Sequence, residues 1–189
     1  MNGCDERDEW LMARVAHGER DCLEPLVRRH ATRLLTFIER MAGDCHRAEE
    51  LFQEVFLAVW VKRRQYQFPR PFKPWLYAIA RNIRVDHYRQ VQRTENRHQS
   101  LEESPDIPQK AETGSAGTPD LEALLATLPE SQREVLAMLK VAGMSLEEAA
   151  RATATSVGSV KQKAHRAYEN LRGRLSDMGI RSAGKGGPS

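Results

Sequence analysis

AEELFQEVFLAVW, residues 48–60, is the stretch that decides how this chain folds. Leu51, Phe52, Val55, Phe56, Val59 and Trp60 recur at one- and four-residue steps, so they share one side of a helix and bury it. Glu50, Gln53, Glu54 and Leu57 fall three and four residues apart and line a neighbouring, mostly polar face. The pattern predicts a helix over about 45–64. A proline-rich loop follows, Phe68-Pro-Arg-Pro-Phe-Lys-Pro, and then WLYAIARN at 75–82. Pro74 fits the start of a helix running from about Trp75 to Gln92, because a first turn needs no N–H from it. Trp75 falls in register with Ile79 and Ala80, which predicts a core position.

Outward from this centre the periodicity stays helical, with no alternating strand and no internal repeat. A first helix is expected over about 5–17, closed by Gly18, and a second over about 19–41. The second carries Leu23, Leu26, Val27, Leu34, Leu35 and Ile38 on its apolar side, ends at Gly43, and leaves Asp44 to cap the next. From Thr94 to Thr118 the pattern dissolves into Glu, Ser, Pro, Gly and Thr, which bury too little surface to offset their ordering entropy. Helical patterning returns at about 120–127, 130–141, 145–153 and 156–176, before a glycine-rich tail. The expected architecture is all-α: a domain over 5–93, a flexible acidic linker over 94–119, a second domain over 120–177 and a disordered tail over 178–189.

The chain of 189 residues is 40% hydrophobic and 29% charged, an ordinary globular composition. Three cysteines, Cys4, Cys22 and Cys45, are odd in number and irregular in spacing, which suits a reducing cytoplasm better than a disulfide framework. Cys45-His46 lacks a second pair at zinc spacing, so neither a metal nor another cofactor is expected. MNGCDERDEW lacks the basic start and apolar core of a secretion signal, and no run is apolar enough to insert into a membrane.

The net charge of +3 is modest, but its distribution is uneven. Residues 61–98 hold ten Lys or Arg against Asp86 and Glu95; residues 156–174 hold five against Glu169. Residues 44–60 reverse the sign, with four acids against Arg47, and 94–120 have six acids against Arg97 and Lys110. A single exposed Lys or Arg is normally only solvated charge. Two basic clusters, one per domain and each centred on a helix, point instead to phosphate backbones.

The C-terminal segment has helix-turn-helix grammar. Ser145 caps a short helix with Glu148 at the capping-box position, and Ala149 and Ala150 let a second helix cross closely. Ser156 caps that second helix, where Val160 and Ala164 pack inward. Ser156, Val157, Gly158, Ser159, Lys161, Gln162, His165 and Arg166 are left to reach a major groove. LPESQREVL, GMSLEEAA and SVGSVKQKAHRAYENL together resemble the sigma-4 domain of extracytoplasmic-function (ECF) sigma factors, over about 121–175. This resemblance implies that the helix from Ser156 reads the promoter −35 element. The family usually has glycine and then an apolar residue at the turn, where Ala154 and Thr155 stand here; a left-handed Ala154 costs roughly 1–2 kcal/mol.

AEELFQEVFLAVW with Phe72, WLYAIARN, Asp86 and Arg89 resembles the sigma-2 domain of the same family, over about 10–93. Glu50 replaces the usual Asp, and His30 stands where an aromatic is common. The resemblance implies that Glu50, Gln53, Glu54 and Leu57 bind the β′ coiled coil of core RNA polymerase, with the β subunit as a further contact. It implies also that Tyr66, Phe68, Arg70 and Lys73 of the loop, with Arg81, Asn82, Arg84 and Arg89 of the helix, handle the −10 element of promoter DNA. Strand separation needs a pocket for an extruded base and cations along the displaced strand. About 25 linker residues are too few for the extra domain of larger sigma factors, and they span roughly 25–30 Å. Their acidity suggests occupancy of nucleic-acid channels in the polymerase before RNA arrives. Family members are commonly held inactive by an anti-sigma factor. The alternative is a stand-alone helix-turn-helix regulator; an enzyme is not expected, since no phosphate loop, nucleophile elbow or metal cluster is present.

Overall fold

The computed structural model describes residues 6–42, 45–99 and 119–177, and these are helical, with short turns between. The N-terminal domain comprises α1 (Asp8–Ala16), α2 (Leu23–Ala42), α3 (Cys45–Lys62) and α4 (Phe72–Gln99). The C-terminal domain comprises α5 (Pro119–Ala126), α6 (Glu130–Lys140), α7 (Leu146–Thr153) and α8 (Val157–Asp177). Gly43, Asp44, Cys4, residues 100–118 and the tail from 178 lie outside the described residues. The expectations about capping by Asp44, the tail and most of the linker fall there, but the linker is shorter than expected: residues 94–99 continue α4 and Pro119 opens α5.

The helix α3 packs between α2 and α4. Leu51, Val55, Phe56 and Val59 are buried as the periodicity predicts, with Phe52 and Trp60 half-buried beside them. The helix α4 starts three residues earlier than expected, at Phe72, and runs seven residues further, to Gln99. No Gly or Pro interrupts the chain between Pro74 and Pro105, so nothing in the backbone stops the helix where apolar patterning ends.

Three buried residues of α2, His30, Phe37 and Met41, lie outside the apolar stripe its periodicity predicts. Phe37 meets Tyr77 edge to face, with centroids 5.0 Å apart. His30 takes an aromatic's place against Phe72, at 5.4 Å, and its Nε2 lies 2.6 Å from Asp8 Oδ2. Arg29 holds the other oxygen of Asp8 at 2.7 Å. The hydrogen bond from His30, aided by Arg29, holds the Asp8 carboxyl below its ordinary range despite partial burial. A depressed carboxyl stabilises the fold above its ordinary pKa, and that contribution is lost as pH falls through the folded value. Asp8→Asn is therefore expected to flatten the acid limb of stability, read as the urea midpoint against pH. An unchanged limb would exclude this contact as its source.

In the C-terminal domain α8 packs across α6 and α7. Ser145 and Glu148 form the full capping box, with both hydrogen bonds made. The tight crossing is possible because Ala149, Ala150, Ala152 and Ala164 are buried and small. Ala154 sits in the left-handed region, at φ 51° and ψ 41°. The N–H of Thr155 donates to the carbonyl of Ala150 and that of Ala154 to Arg151, a left-handed helix closure that glycine normally makes. Ala154 is exposed, so its methyl packs nothing in return. Ala154→Gly is expected to stabilise the protein by about 0.5–1 kcal/mol, the relief of strain exceeding glycine's larger entropy loss. Thermal unfolding checks this, and a lowered midpoint would overturn it.

Candidate polymerase and nucleic-acid interfaces

The polar face of α3 is open. Glu50, Gln53, Glu54 and Leu57 are all exposed on a helix whose opposite side is core. Leu57 is 64% exposed and Val61, one turn on, is 66% exposed, so an apolar strip continues the acidic one. A groove of about 560 Å³ runs beside it, between Leu57 and Trp60 of α3 and Leu23 and Val27 of α2. Arg63 and Arg20 stack on the Trp60 ring at 4.1 and 5.3 Å, fixing one wall of the groove. Val61 and the groove were missed from sequence. The four-residue step from Leu57 to Val61 was the available signal.

The loop and α4 present the second surface. Phe68 is exposed and stacks on Trp10 of α1 at 4.7 Å, so α1 supports the loop. Arg70, Asn82 and Arg89 are exposed, and Lys73 and Arg81 are half-buried. Two of the expected DNA contacts lie inward. Tyr66 is buried against Phe72 and Trp75, and its hydroxyl donates to the Arg70 carbonyl, which shapes the loop from within. Burial pushes its phenol above the ordinary range. Arg84 is buried against α6, at 2.5 Å from Glu130. Trp75 is half-buried and packs on the core, as its register predicts.

The third surface is α8. Ser156 accepts from the N–H of Ser159, as a cap should. Gly158, Lys161, Gln162, His165 and Arg166 are exposed along one side, and His165 lies 3.3 Å from Glu169. Ser159 is half-buried, and Val157 packs partly into the core. No group of three or more His, Cys, Asp or Glu among the described residues could hold a metal ion. Among them, too, no helix is long and apolar enough to cross a membrane.

Comparison with known proteins places these surfaces in context. Residues 26–94 match the family described as Sigma-70 region 2, and residues 119–171 match Sigma-70, region 4. The chain is 34% identical to the RNA polymerase sigma factor CarQ of Myxococcus xanthus, over 91% of this chain and 99% of that one. It is 33% identical to the ECF RNA polymerase sigma factor SigF of Caulobacter vibrioides, over 74% of this chain and 76% of that one. Among solved structures, CnrH in complex with the cytosolic domain of CnrY superposes with a TM-score of 0.70 at 25% identity, over 91% of this chain and 99% of that chain. The sigma factor RpoE of Bartonella quintana, solved with the anti-sigma factor NepR, shares the fold at a TM-score of 0.68 and 24% identity, over 81% and 96%.

Proposed function

Because this chain is an ECF sigma factor of the sigma-70 family, we propose that it docks on core RNA polymerase through α3 and carries promoter DNA on α4 and α8. The observation that carries this division of labour is the exposed strip Glu50, Gln53, Glu54 and Leu57 on a helix whose opposite side is core. Acidic and amide groups beside an apolar contact suit a basic helical partner such as the β′ coiled coil, with the β subunit engaging elsewhere. The basic loop and helix at 65–89 suit the −10 element. There Arg70, Lys73, Arg81 and Arg89 follow the displaced strand and Phe68 stacks on bases.

On this reading α8 enters the major groove at the −35 element, with Lys161 and Arg166 on phosphates and Gln162 and His165 toward base edges. Lys161→Ala with Arg166→Ala is expected to weaken binding to a −35 duplex on every sequence alike. It should also lower the slope of log affinity against log salt by about one per lost phosphate contact. A change in sequence preference at constant slope would instead make these two residues base readers.

An anti-sigma factor is a further partner the reading allows, and CnrH, which this chain resembles, was solved with the cytosolic domain of CnrY. The cytoplasm is where polymerase and promoter are both available. The stand-alone regulator is set aside, because it leaves the region 2 match at 26–94 without a role. The deciding experiment is transcription by bacterial core polymerase on promoter fragments from the source genome, with and without the protein. New specific transcripts are expected. Duplex binding without core binding or transcripts would restore the stand-alone regulator.

A further inference from the structure

Three cations of α4, Lys73, Arg81 and Arg84, are already occupied by the protein's own other domain. Arg84 Nη2 lies 2.5 Å from Glu130 Oε1 and 3.5 Å from Glu134 Oε1. Arg81 Nε lies 3.1 Å from the same oxygen of Glu134. Lys73 donates to the carbonyl of Gly143 at 3.0 Å and lies 3.5 Å from Glu148 Oε2. The acids come from α6 and α7 and the cations from α4, so every one of these ion pairs joins the two domains. Arg84 is 8% exposed and Glu134 5% exposed, so the central pair is withdrawn from water.

We propose that this contact is an autoinhibitory latch, in which Glu130, Glu134 and Glu148 stand where DNA phosphates would otherwise lie. The inference rests on the reading of α4 as a DNA-binding surface. A carboxylate and a phosphate offer a guanidinium the same paired acceptor oxygens, so a strand and these acids compete for one set of donors. The fit is also imperfect: Arg84 Nε is buried without a hydrogen-bond partner, and Glu134 Oε1 meets Arg81 and Arg84 as ion pairs without hydrogen-bond geometry. Poorly satisfied buried charges return much of their desolvation cost when the interface opens. The latch therefore selects this closed pairing without making it hard to release. The face of α3 stays exposed throughout, so polymerase has access before DNA does, and docking of α3 precedes opening.

The test uses the full chain without polymerase. Glu130→Gln with Glu134→Gln keeps side-chain volume and removes the anionic side of the central pairs. Expected results are a larger radius of gyration in small-angle scattering and about tenfold or more tighter binding of a fluorescein-labelled oligothymidylate. Glu130→Gln alone keeps the test valid if the double variant misfolds, because the Glu130 side chain is 52% exposed and outside the core. That single change should give a smaller shift in the same direction. An unchanged radius and affinity in both variants would overturn the latch, and core-dependent transcription would still test the sigma reading separately. Expansion without tighter binding would overturn the masking. If Arg81→Ala with Arg84→Ala then failed to weaken oligothymidylate binding in the expanded variant, the DNA role of α4 would fall with it.

Discussion

Reversing charge on the open face of α3, with Glu50→Lys and Glu54→Lys together, is expected to weaken binding to core polymerase about a hundredfold while leaving the fold intact. Both side chains are exposed on a helix surface, and Lys is as good a helix former as Glu, so nothing in the core is disturbed. The loss comes from the interface. Placing like charges against a basic partner costs several kcal/mol, and each 1.4 kcal/mol is a factor of ten in affinity, so about 3 kcal/mol gives two orders of magnitude. Glu50→Gln with Glu54→Gln should lie between the parent and the reversal, since it removes attraction without adding repulsion. Titration of labelled core polymerase reads all three, with the circular dichroism spectrum as the control on folding. Unchanged affinity in the reversed variant would move the polymerase contact off this face, and the apolar groove beside Leu57 and Val61 would then be the surface to alter.

The second large effect is structural. Phe72→Ala should destabilise the protein by about 3–5 kcal/mol, as truncation of a fully buried aromatic does. Phe72 opens α4, is fully buried, and packs against His30, Tyr66 and Trp75, with centroids 5.4, 6.3 and 6.1 Å away. Its backbone N–H donates to Glu9 Oε1 at 3.3 Å, so α1, α2, the loop and α4 converge on one residue. Against a usual total of about 5–15 kcal/mol, the loss removes a large share of stability. Phe72→Leu keeps most of the volume and should cost only about 1–1.5 kcal/mol. Urea denaturation followed by tryptophan fluorescence distinguishes them, because Trp75 reports from beside the deletion. A cost near 1 kcal/mol for the alanine variant would mean that the site collapses around the gap and Phe72 is not the anchor.

Much of the candidate surface was legible because helix periodicity assigns each residue a direction. The alternation along 48–60 put Val55 and Val59 inside and Glu50, Gln53 and Glu54 outside, and they lie there. Ser145 and Glu148 stood at capping spacing and form the capping box, and Ala154, at a position where glycine is usual, does adopt the left-handed backbone. These are local relations, complete within a few residues. The basic patch at 61–98 was equally visible as composition, but composition does not say which cations meet water. Tyr66 turned inward because two aromatic rings from the start of α4, Phe72 and Trp75, gather there.

The sequence by itself determined the helices, their buried faces, the helix-turn-helix and the two-part plan, since each follows from spacing, caps and apolar periodicity over a few turns. Only the tertiary structure decided the rest. It brought His30 to Asp8 across 22 positions, set Trp10 under Phe68, and placed Arg81 and Arg84 against Glu130 and Glu134 from the other domain. Such contacts depend on which helix faces meet in space. Pairing of charges across about fifty residues leaves no periodic trace in the chain, because each member also reads as an ordinary solvated side chain.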